Sequence, residues 1–443
     1  MKAKLGNFWE ALRSSFWFLP ALMTFGAIAL SFATIALDWA VQERLLRQIQ
    51  FIWIGGTEGA RQLLSTIAGS MITVAGVVFS ITIVVLTLAS SQFGPRLLRN
   101  FMRDRGNQVV LGTFIATFTY CLLVLRSIHG DGGATFVPYI SVTLGIALSL
   151  LSVAVLIYFI HHVSVIIQAP TVIAMVSAEL QEVIERLFPE RLGEAPPDPL
   201  QPPIPNDFES NAKSIAALDT GYLQAIDSDG LLNLAVENDV LVRVNYRPGQ
   251  FIIAGSPLLK AWPKERVSKE FGSQFNELFV LGPYRTPTQD VEFCIDQLVE
   301  VAVRALSPGI NDPFTALNCV DRLGAALCQL SERDIPSAHR FDEKNRLRVI
   351  AYPVSFANLT DAAFNQIRQY GRSSVAVTIR LLETLLIIAR RVRREGDREA
   401  LLRQAIMIQR GSQALREDWD RHAVTQRYQA VRASLECARN EAS

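Results

Sequence analysis

The chain has 443 residues, of which 50% are hydrophobic and 19% are charged, and its formal net charge is +1. Soluble globular proteins carry about a quarter charged residues, so the deficit indicates a large apolar portion, and the length indicates two or three structural units. A nearly neutral chain lacks the basic field that nucleic-acid binding requires, so we expect no nucleic-acid partner.

Four long stretches in the first part of the chain contain no Asp, Glu, Lys or Arg, at 14–37, 62–95, 106–125 and 132–178. Crossing a hydrocarbon core of roughly 30 Å takes about 20 apolar residues in a helix that bonds its own backbone. The sequence therefore predicts four transmembrane helices, at about 15–37, 64–89, 108–125 and 137–160.

The connecting segments predict the orientation of these spans. Three basic residues oppose one acidic residue before the first span, and four arginines oppose Asp104 between the second and third spans. By the positive-inside rule both termini lie in the cytoplasm, and the part after about Glu179 is cytosolic. The last apolar stretch is too long for one perpendicular span. Its helix either continues past His161 and His162, or breaks near Pro170 and then lies along the membrane surface, and we expect the break.

Small and weakly polar residues form one stripe along the second predicted span. They recur at spacings of 4, 3, 4, 7 and 4, which place them on one helical face: Gly69, Thr73, Gly76, Ser80, Thr87 and Ser91. Such residues let neighbouring helices pack closely, and they also form a smooth wall for a water-filled path in an oligomer. The sequence leaves both interpretations open.

The second span ends at a Gly94-Pro95 pair, and arginines follow it. Arg96, Arg99 and Arg103 share a helical face if the chain is helical there. They either anchor the cytosolic end and contact lipid phosphates, or form a cationic ring at a pore mouth that favours anions. No acidic or basic residue lies at mid-membrane depth in any span, which argues against an ion-coupled transporter and is compatible with a passive pore.

Beyond the transmembrane domain at 1–169, composition predicts three further parts. They are a connecting helix with a proline-rich linker at 170–212, a small β-rich module at 213–285 and a helical region at 286–443. The apolar segment 374–392 contains charged residues and is followed by arginines, so we interpret it as a cytosolic helix and not a fifth span.

Two helix starts are predicted in the helical region. Thr286 and Pro287 fit an N-cap and a proline at the first helical position, with Gln289 completing a capping box. Asp312 fits the N-cap of the next helix, after Asn311. This corner is either capping chemistry alone, or a place where Asn311, Asp312 and the exposed amides of the helix start bind an ion or ligand.

The sequence indicates no catalytic or metal chemistry. No phosphate-binding loop, dinucleotide fingerprint, nucleophile elbow or zinc-protease motif is present, so we expect no enzyme activity and no cofactor. No two cysteines form a C-x-x-C pair, and they are read as free thiols in a reducing compartment: Cys121, Cys294, Cys319, Cys328 and Cys437.

The run from Ala305 to Ala316 (ALSPGINDPFTA), with a Thr-Gln-Asp triplet at 288–290 before it, resembles the bacterial predicted membrane proteins of the DUF2254 family. Residues 91–96 (SQFGPR), after the second span, look like a feature of the same family. The resemblance covers nearly the whole chain. It implies a bacterial inner-membrane protein with N-terminal spans and a soluble C-terminal region, and it contributes no catalytic or binding residue.

The expected fold is therefore a bundle of four transmembrane helices plus a cytosolic α+β domain with a small β-rich module and a helical C-terminal part. The expected function is a homo-oligomeric passive channel in the lipid bilayer, in which the second span lines the path and the cytosolic domain forms a vestibule or gate. The alternative is a membrane-anchored scaffold or sensor whose cytosolic domain binds a protein or a small ligand.

Overall fold

The computed structural model describes residues 16–40, 56–97, 101, 104–129, 136–188 and 204–440. The chain divides between Gln168 and Ala169 into two compact units, here named the bundle and the C-terminal unit.

Four helices of the bundle are, among the described residues, long and apolar enough to cross a membrane. They are α1 (Phe18–Ala40), α2 (Thr57–Phe93), α3 (Arg105–Ser127) and α4 (Tyr139–Ile166). Each coincides with a predicted span, so that prediction is confirmed. Helix α3 packs against the other three and is the most buried of the four.

Helix α2 is longer than the predicted span at 64–89. Its 37 residues extend over about 55 Å at 1.5 Å per residue, well beyond a hydrocarbon core of about 30 Å. It ends at Gly94, whose φ of 110° favours glycine, and a 3₁₀ turn (Pro95–Leu97) follows. Part of α2 therefore extends beyond the hydrocarbon layer.

The predicted break after the fourth span is present. Helix α4 ends at Ile166, and α5 (Ala169–Leu187) begins the C-terminal unit. Pro170 stands in the first turn of α5, where its missing N–H removes no hydrogen bond from the helix.

The C-terminal unit combines helices with short strands. Its further helices are α6 (Phe208–Asn211), α7 (Ser228–Glu237), α8 (Lys269–Glu277), α9 (Val291–Ala305), α10 (Pro313–Glu332), α11 (Phe356–Tyr370), α12 (Val375–Ala389), α13 (Glu395–Gly411) and α14 (Asp418–Asn440). Its strands are β1 (Lys213–Ala216), β2 (Gly221–Ile226), β3 (Leu241–Val244), β4 (Phe251–Ile252), β5 (Pro257–Trp262), β6 (Phe279–Gly282), β7 (His339–Phe341) and β8 (Leu347–Ile350).

The strands form two sheets. One has the order β1-β5-β3-β8-β7, with β3 and β8 parallel and the other pairs antiparallel, and the second has the antiparallel order β4-β2-β6. Buried side chains such as Leu223, Val242, Leu259 and Phe275 form a shared core with the neighbouring helices. The sheets and their helices make this part of the unit a single packed α+β assembly, as the predicted fold class requires.

Strands β7 and β8 lie within the region 286–443, which the sequence analysis assigned to helices. They are short, of three and four residues, and β8 pairs with β3, which lies about a hundred residues earlier. A strand this short is stabilised mainly by its distant partner, so its local pattern is weak. The boundary at 285 remains a prediction, with these two strands completing the sheet from beyond it.

The predicted helix start at Thr286 is wrong, because α9 begins at Val291 with Asp290 as its N-cap. The Asp290 carboxylate accepts a hydrogen bond from the Phe293 amide at 3.1 Å. The Gln289 side chain instead pairs with the backbone of Ile226 in β2, accepting at 3.0 Å and donating at 3.1 Å. Gln289 therefore bonds to the sheet and does not complete a capping box.

The buried Asp290 also forms an ion pair with the partly buried Arg285. The guanidinium donates to both oxygens of Asp290, at 2.8 and 3.1 Å, and to Asp296 at 2.6 Å. Burying two charges is favourable only when the pair is well bonded, and this geometry meets that condition.

We expect Asp290→Ala to lower the free energy of unfolding by about 3–5 kcal/mol, since it removes the cap and leaves Arg285 with one carboxylate instead of two. Thermal unfolding of the full chain in detergent measures the change. Asp290→Asn keeps an oxygen for the Phe293 amide and should lose less. Glu209→Gln, in a solvent-exposed ion pair with Arg243, is the control and should change little. Equal losses for Asp290→Ala and Glu209→Gln would contradict this account.

Candidate functional site

The stripe predicted on α2 lies on the outer surface of the bundle. All six of its residues, here named the outer stripe, are exposed: Gly69, Thr73, Gly76, Ser80, Thr87 and Ser91. The side chains that α2 buries lie on the opposite face: Ala60, Leu64, Ala68, Met71, Ala75, Val78, Thr82, Val85, Ala89 and Phe93. A Cβ added at Gly69 or Gly76 would meet no atom within 4 Å. No described helix of the same chain covers the outer stripe.

The hydroxyl groups of the outer stripe donate to the backbone of their own helix. Thr73 donates to the Gly69 carbonyl at 2.8 Å, Ser80 to the Gly76 carbonyl at 2.9 Å, and Thr87 to the Ile83 carbonyl at 2.9 Å. Their donors are therefore satisfied without water, while the oxygens still have lone pairs to accept with. Such a surface is stable against an apolar neighbour and can also be wetted.

The basic segment after α2 is only partly described. Arg96 is exposed in the 3₁₀ turn, and the neighbouring Leu97 is buried. Arg99 and Arg103 lie outside the described residues, so their shared helical face remains a prediction.

One end of the bundle is tied by a buried carboxylate that the sequence analysis missed. Asp38, near the end of α1, accepts hydrogen bonds from the Ile140 amide at 2.8 Å and the Ser141 amide at 3.0 Å. The Ser141 hydroxyl also donates to it at 2.6 Å. Pro138, the N-cap of α4, has no side-chain group that could accept these bonds. Asp38 therefore caps α4 from another helix.

Tyr120 of α3 extends the same polar group across the bundle. Its hydroxyl lies 3.0 Å from that of Thr34 and donates to the Ser141 carbonyl at 3.1 Å. Tyr120, Ser141, Thr34 and Asp38 are all buried. The sequence signal was a lone aspartate at the end of an apolar span, but its partners lie about a hundred residues away.

The opposite end of the bundle is tied by Asp104 and His162. Asp104 caps α3 through the Asn107 amide at 3.0 Å, and the same oxygen lies 2.7 Å from Nε2 of His162 near the end of α4. The imidazole stacks on Tyr158 with ring centroids 5.3 Å apart. A Cβ at Gly106 would lie 2.6 Å from His162 Nε2, so a larger residue there would push the imidazole out of its place beside Asp104. Both ends of α3 and α4 are thus joined by specific polar contacts.

The corner before α10 has capping geometry. Asp312 accepts from the Thr315 amide at 3.1 Å and from its hydroxyl at 2.6 Å, and the hydroxyl bond lowers the pKa of the Asp312 carboxyl. Asn311 adopts a positive φ of 51°, which asparagine tolerates better than most residues. Both oxygens of Asp312 are engaged by Thr315, and ligand binding at this corner remains a prediction.

The five cysteines are free thiols. Cys121, Cys294, Cys319 and Cys328 are buried, and Cys437 is exposed. Burial raises the pKa of the Cys294 and Cys319 thiols, which makes them unreactive at neutral pH.

Four apolar helices of spanning length, held together at both ends, define an integral membrane protein. The chain belongs to the family described as predicted membrane protein (DUF2254), whose model matches residues 13–386. It is 35% identical over 418 residues to the uncharacterized protein Rv1290c of Mycobacterium tuberculosis, covering 91% of this chain and 77% of that protein. The uncharacterized protein Mb1321c of Mycobacterium bovis matches with the same identity and coverage. No solved structure matches the chain.

We expect Asp312→Ala to lower the free energy of unfolding at neutral pH by about 1–2 kcal/mol, because the cap of α10 is lost. The pKa of Asp312 is lower in the folded chain than in the unfolded one, so its stabilisation is complete above about pH 4 and declines as the pH falls below that. Thermal unfolding at pH 7, 5 and 3 checks this. Asp312→Ser keeps a capping oxygen and is the control, and an Asp312→Ala deficit that grows on acidification would contradict the prediction.

Proposed function

We propose that this protein is a homo-oligomeric passive channel of the bacterial cell membrane, in which α2 of each copy lines the path with its outer stripe. The observation that carries the proposal is the exposure of all six stripe residues on a single chain. In a membrane such a surface contacts lipid, another copy, or water.

Lipid is the least suitable neighbour for the outer stripe. Between Ile72 and Leu88, the exposed positions of α2 outside the stripe carry large apolar side chains, as at Ile72, Val77, Phe79 and Val84, and these suit contact with acyl chains. Small residues leave a shallow groove that lipid fills poorly, whereas helices of neighbouring copies or ordered water fit it well. The contrast between the two surfaces of one helix supports an oligomer arranged around the stripe.

Side chains fill the interior between the four helices as far as the described residues show. Phe114, Phe159 and Tyr120 are fully buried among the four helices, and Thr117 and Ser152 bond across the interior at 3.1 Å. A conducting path therefore has to form between copies. One helix covers only a narrow sector of a ring, so several copies are required to enclose it.

The arginines after α2 give the proposed channel an orientation in the membrane and a preference for anions. The positive-inside rule places this end and both termini in the cytoplasm, with the C-terminal unit as a vestibule or gate. Arg96 of each copy, with Arg99 and Arg103, would form a cationic ring at the cytosolic mouth and favour anions. The absence of charged residues at mid-membrane depth supports passive conduction over ion-coupled transport.

Cysteine accessibility separates a water-filled path from dry helix packing. In a Cys437→Ser background, we expect Thr73→Cys and Ser80→Cys to react with a charged, membrane-impermeant thiol reagent at least about tenfold faster than Ile81→Cys, because thiolates form only where water reaches. Ile81 is exposed on α2 to one side of the stripe and serves as the matched control. The mass shift of protein labelled in native membranes measures the rates. Equal protection at Ser80 and Ile81 would indicate packing without a path.

A larger side chain at one position of the stripe should obstruct conduction. We expect Gly76→Val to reduce anion flux into proteoliposomes at least severalfold, because a branched side chain replaces an open surface at the proposed path. Gly26→Val on α1 is the matched control, since Gly26 is also in a span and has no atom near its missing Cβ. No flux from the wild-type protein across salts, voltages and tension, or equal flux for the two variants, would contradict the channel.

A membrane-anchored scaffold is the second candidate, favoured by two exposed apolar side chains at the family-specific corner. Ile310 is 44% exposed and Phe314 is 79% exposed, on either side of Asn311 and Asp312. Exposed aromatic residues of this kind are typical of protein-binding surfaces. Capture of a defined partner that Phe314→Ser abolishes, with no flux from the wild type, would favour the scaffold.

A further inference from the structure

A small cavity in the C-terminal unit combines two guanidinium groups with an apolar floor. It has a volume of about 160 Å³ and lies where α11 and α13 end and α12 begins. Its lining residues are Arg368, Gln369, Arg372, Thr378, Leu381, Ile408 and Gly411. We name it the arginine cavity. A space of this size accommodates about five water molecules or one small anion with water.

Arg368 is half-buried without a carboxylate partner. Its NH2 group donates weakly to Asn365 at 3.5 Å, and its Nε is buried with no hydrogen-bond partner among the described residues. Burial lowers the pKa of Arg368, which is the sign of a charge removed from water without full compensation. A buried guanidinium of this kind is stabilised by any anion that reaches it.

The nearby acidic group is already engaged. Asp361 is the carboxylate whose charge acts on Arg368, but it accepts from Arg403 at 2.8 Å and from Gln404 at 2.7 Å. Arg372 is exposed and forms no ion pair with a described residue. The cavity therefore carries two positive charges that described side chains do not neutralise.

Two other buried or partly buried arginines of the unit have carboxylate partners. Arg348 is bonded to Asp239 at 2.6 Å and to Asp342 at 2.9 Å, and Arg285 is held by two carboxylates as described above. Each of these two guanidinium groups is thus compensated by two acidic side chains, whereas no described carboxylate bonds to Arg368 or Arg372.

A purely structural explanation for the half-buried charge of Arg368 is its position in the last turn of α11. Basic residues there interact favourably with the helix dipole, and the ends of α11 and α13 each carry a partial negative charge of about half a unit. Two full positive charges exceed these partial charges. The dipole also does not account for a guanidinium Nε turned away from solvent without a partner.

We propose that the arginine cavity binds a small tetrahedral oxyanion of the phosphate type, held by Arg368 and Arg372. Two guanidinium groups four residues apart, Arg368 in the last turn of α11 and Arg372 in the turn that follows it, can donate to different oxygens of one tetrahedral dianion. Thr378 donates its hydroxyl to the Ser374 carbonyl at 2.9 Å, so recognition rests on the arginines. The ligand is either free phosphate or the phosphate group of a small ester.

Binding is tested with the full chain in detergent, in a phosphate-free buffer at constant ionic strength. We expect inorganic phosphate and sulfate to raise the midpoint of thermal unfolding in a saturable way, and chloride and acetate to leave it unchanged. Isothermal titration then measures the dissociation constant for phosphate. A response to chloride or acetate equal to that for phosphate, or no response at all, overturns the proposal.

Variants connect the response to the cavity. Arg372→Gln removes an exposed side chain, so it should fold normally while weakening phosphate binding by at least about tenfold. Arg368→Lys keeps the charge but loses the planar group, and should also weaken binding. The control is the double variant Arg322→Gln/Arg393→Gln, which removes two exposed arginines outside the cavity and should bind as the wild type does. Unchanged binding in Arg372→Gln, or equal loss in the control, overturns the proposal.

Glycerol 3-phosphate distinguishes the two sources of the ligand. Binding at least as tight as that of inorganic phosphate supports a phosphate ester as the ligand, and exclusion of the ester supports free phosphate. Neither the cavity nor this experiment depends on the channel proposed above.

Discussion

Hydrogen-bond satisfaction without water is the constraint on which the bundle depends. Inside a membrane an unpaired polar group costs several kcal/mol, so each one must find a partner in the chain. The hydroxyls of α2 meet this requirement locally, by donating to the preceding turn. The first turn of α4 cannot meet it locally, because Pro138 precedes it, and Asp38 supplies the missing acceptor from α1. The same bonds that satisfy α4 therefore also fix the positions of α1 and α4.

Polar contacts hold the bundle together at its two ends, and the described helices leave the outer stripe of α2 uncovered. Asp38 with Ser141 joins α1 to α4, and Asp104 with His162 joins the start of α3 to α4; α3 is the most buried of the four helices. Helix α2 packs against this frame through one face only, and its small residues lie opposite. Packing against the described helices of the same chain therefore does not account for the stripe. The proposed channel accounts for the exposure of the outer stripe, because a surface of glycine and hydroxyl groups suits neighbouring copies and water better than lipid.

The C-terminal unit follows a related rule for charge. Two of its arginines are each stabilised by two carboxylates: Arg285 by Asp290 and Asp296, which lie close to it in the chain, and Arg348 by the nearby Asp342 and the distant Asp239. These pairs hold a helix start in one case and a strand in the other, so they stabilise the fold as well as each other. Arg368 has no carboxylate bonded to it, and it lines a cavity together with Arg372, where the two guanidinium groups are available to an anion. Binding energy for an anion is available where a charge has been buried without a fixed partner.

The sequence by itself determined the features that depend on local composition. Chargeless stretches located the four spans because hydrocarbon excludes charge over a fixed thickness, and helical spacing placed Gly69 to Ser91 on one face. Asp312 and Pro313 marked a helix start because capping is a local geometry. Only the tertiary structure decided which way the stripe faces, which helix Asp38 caps, and that Asp290 replaces Thr286 as a cap. It also placed β8 beside β3 and brought Arg368 and Arg372 against α12 and α13. The Asp290 cap is itself a local contact, but the bond of Gln289 to Ile226, which stands in place of the predicted capping box, is not. The other features depend on groups far apart in the chain, whose meeting is set by packing and by the need to pair buried charge and hydrogen-bonding groups, and no local pattern encodes that.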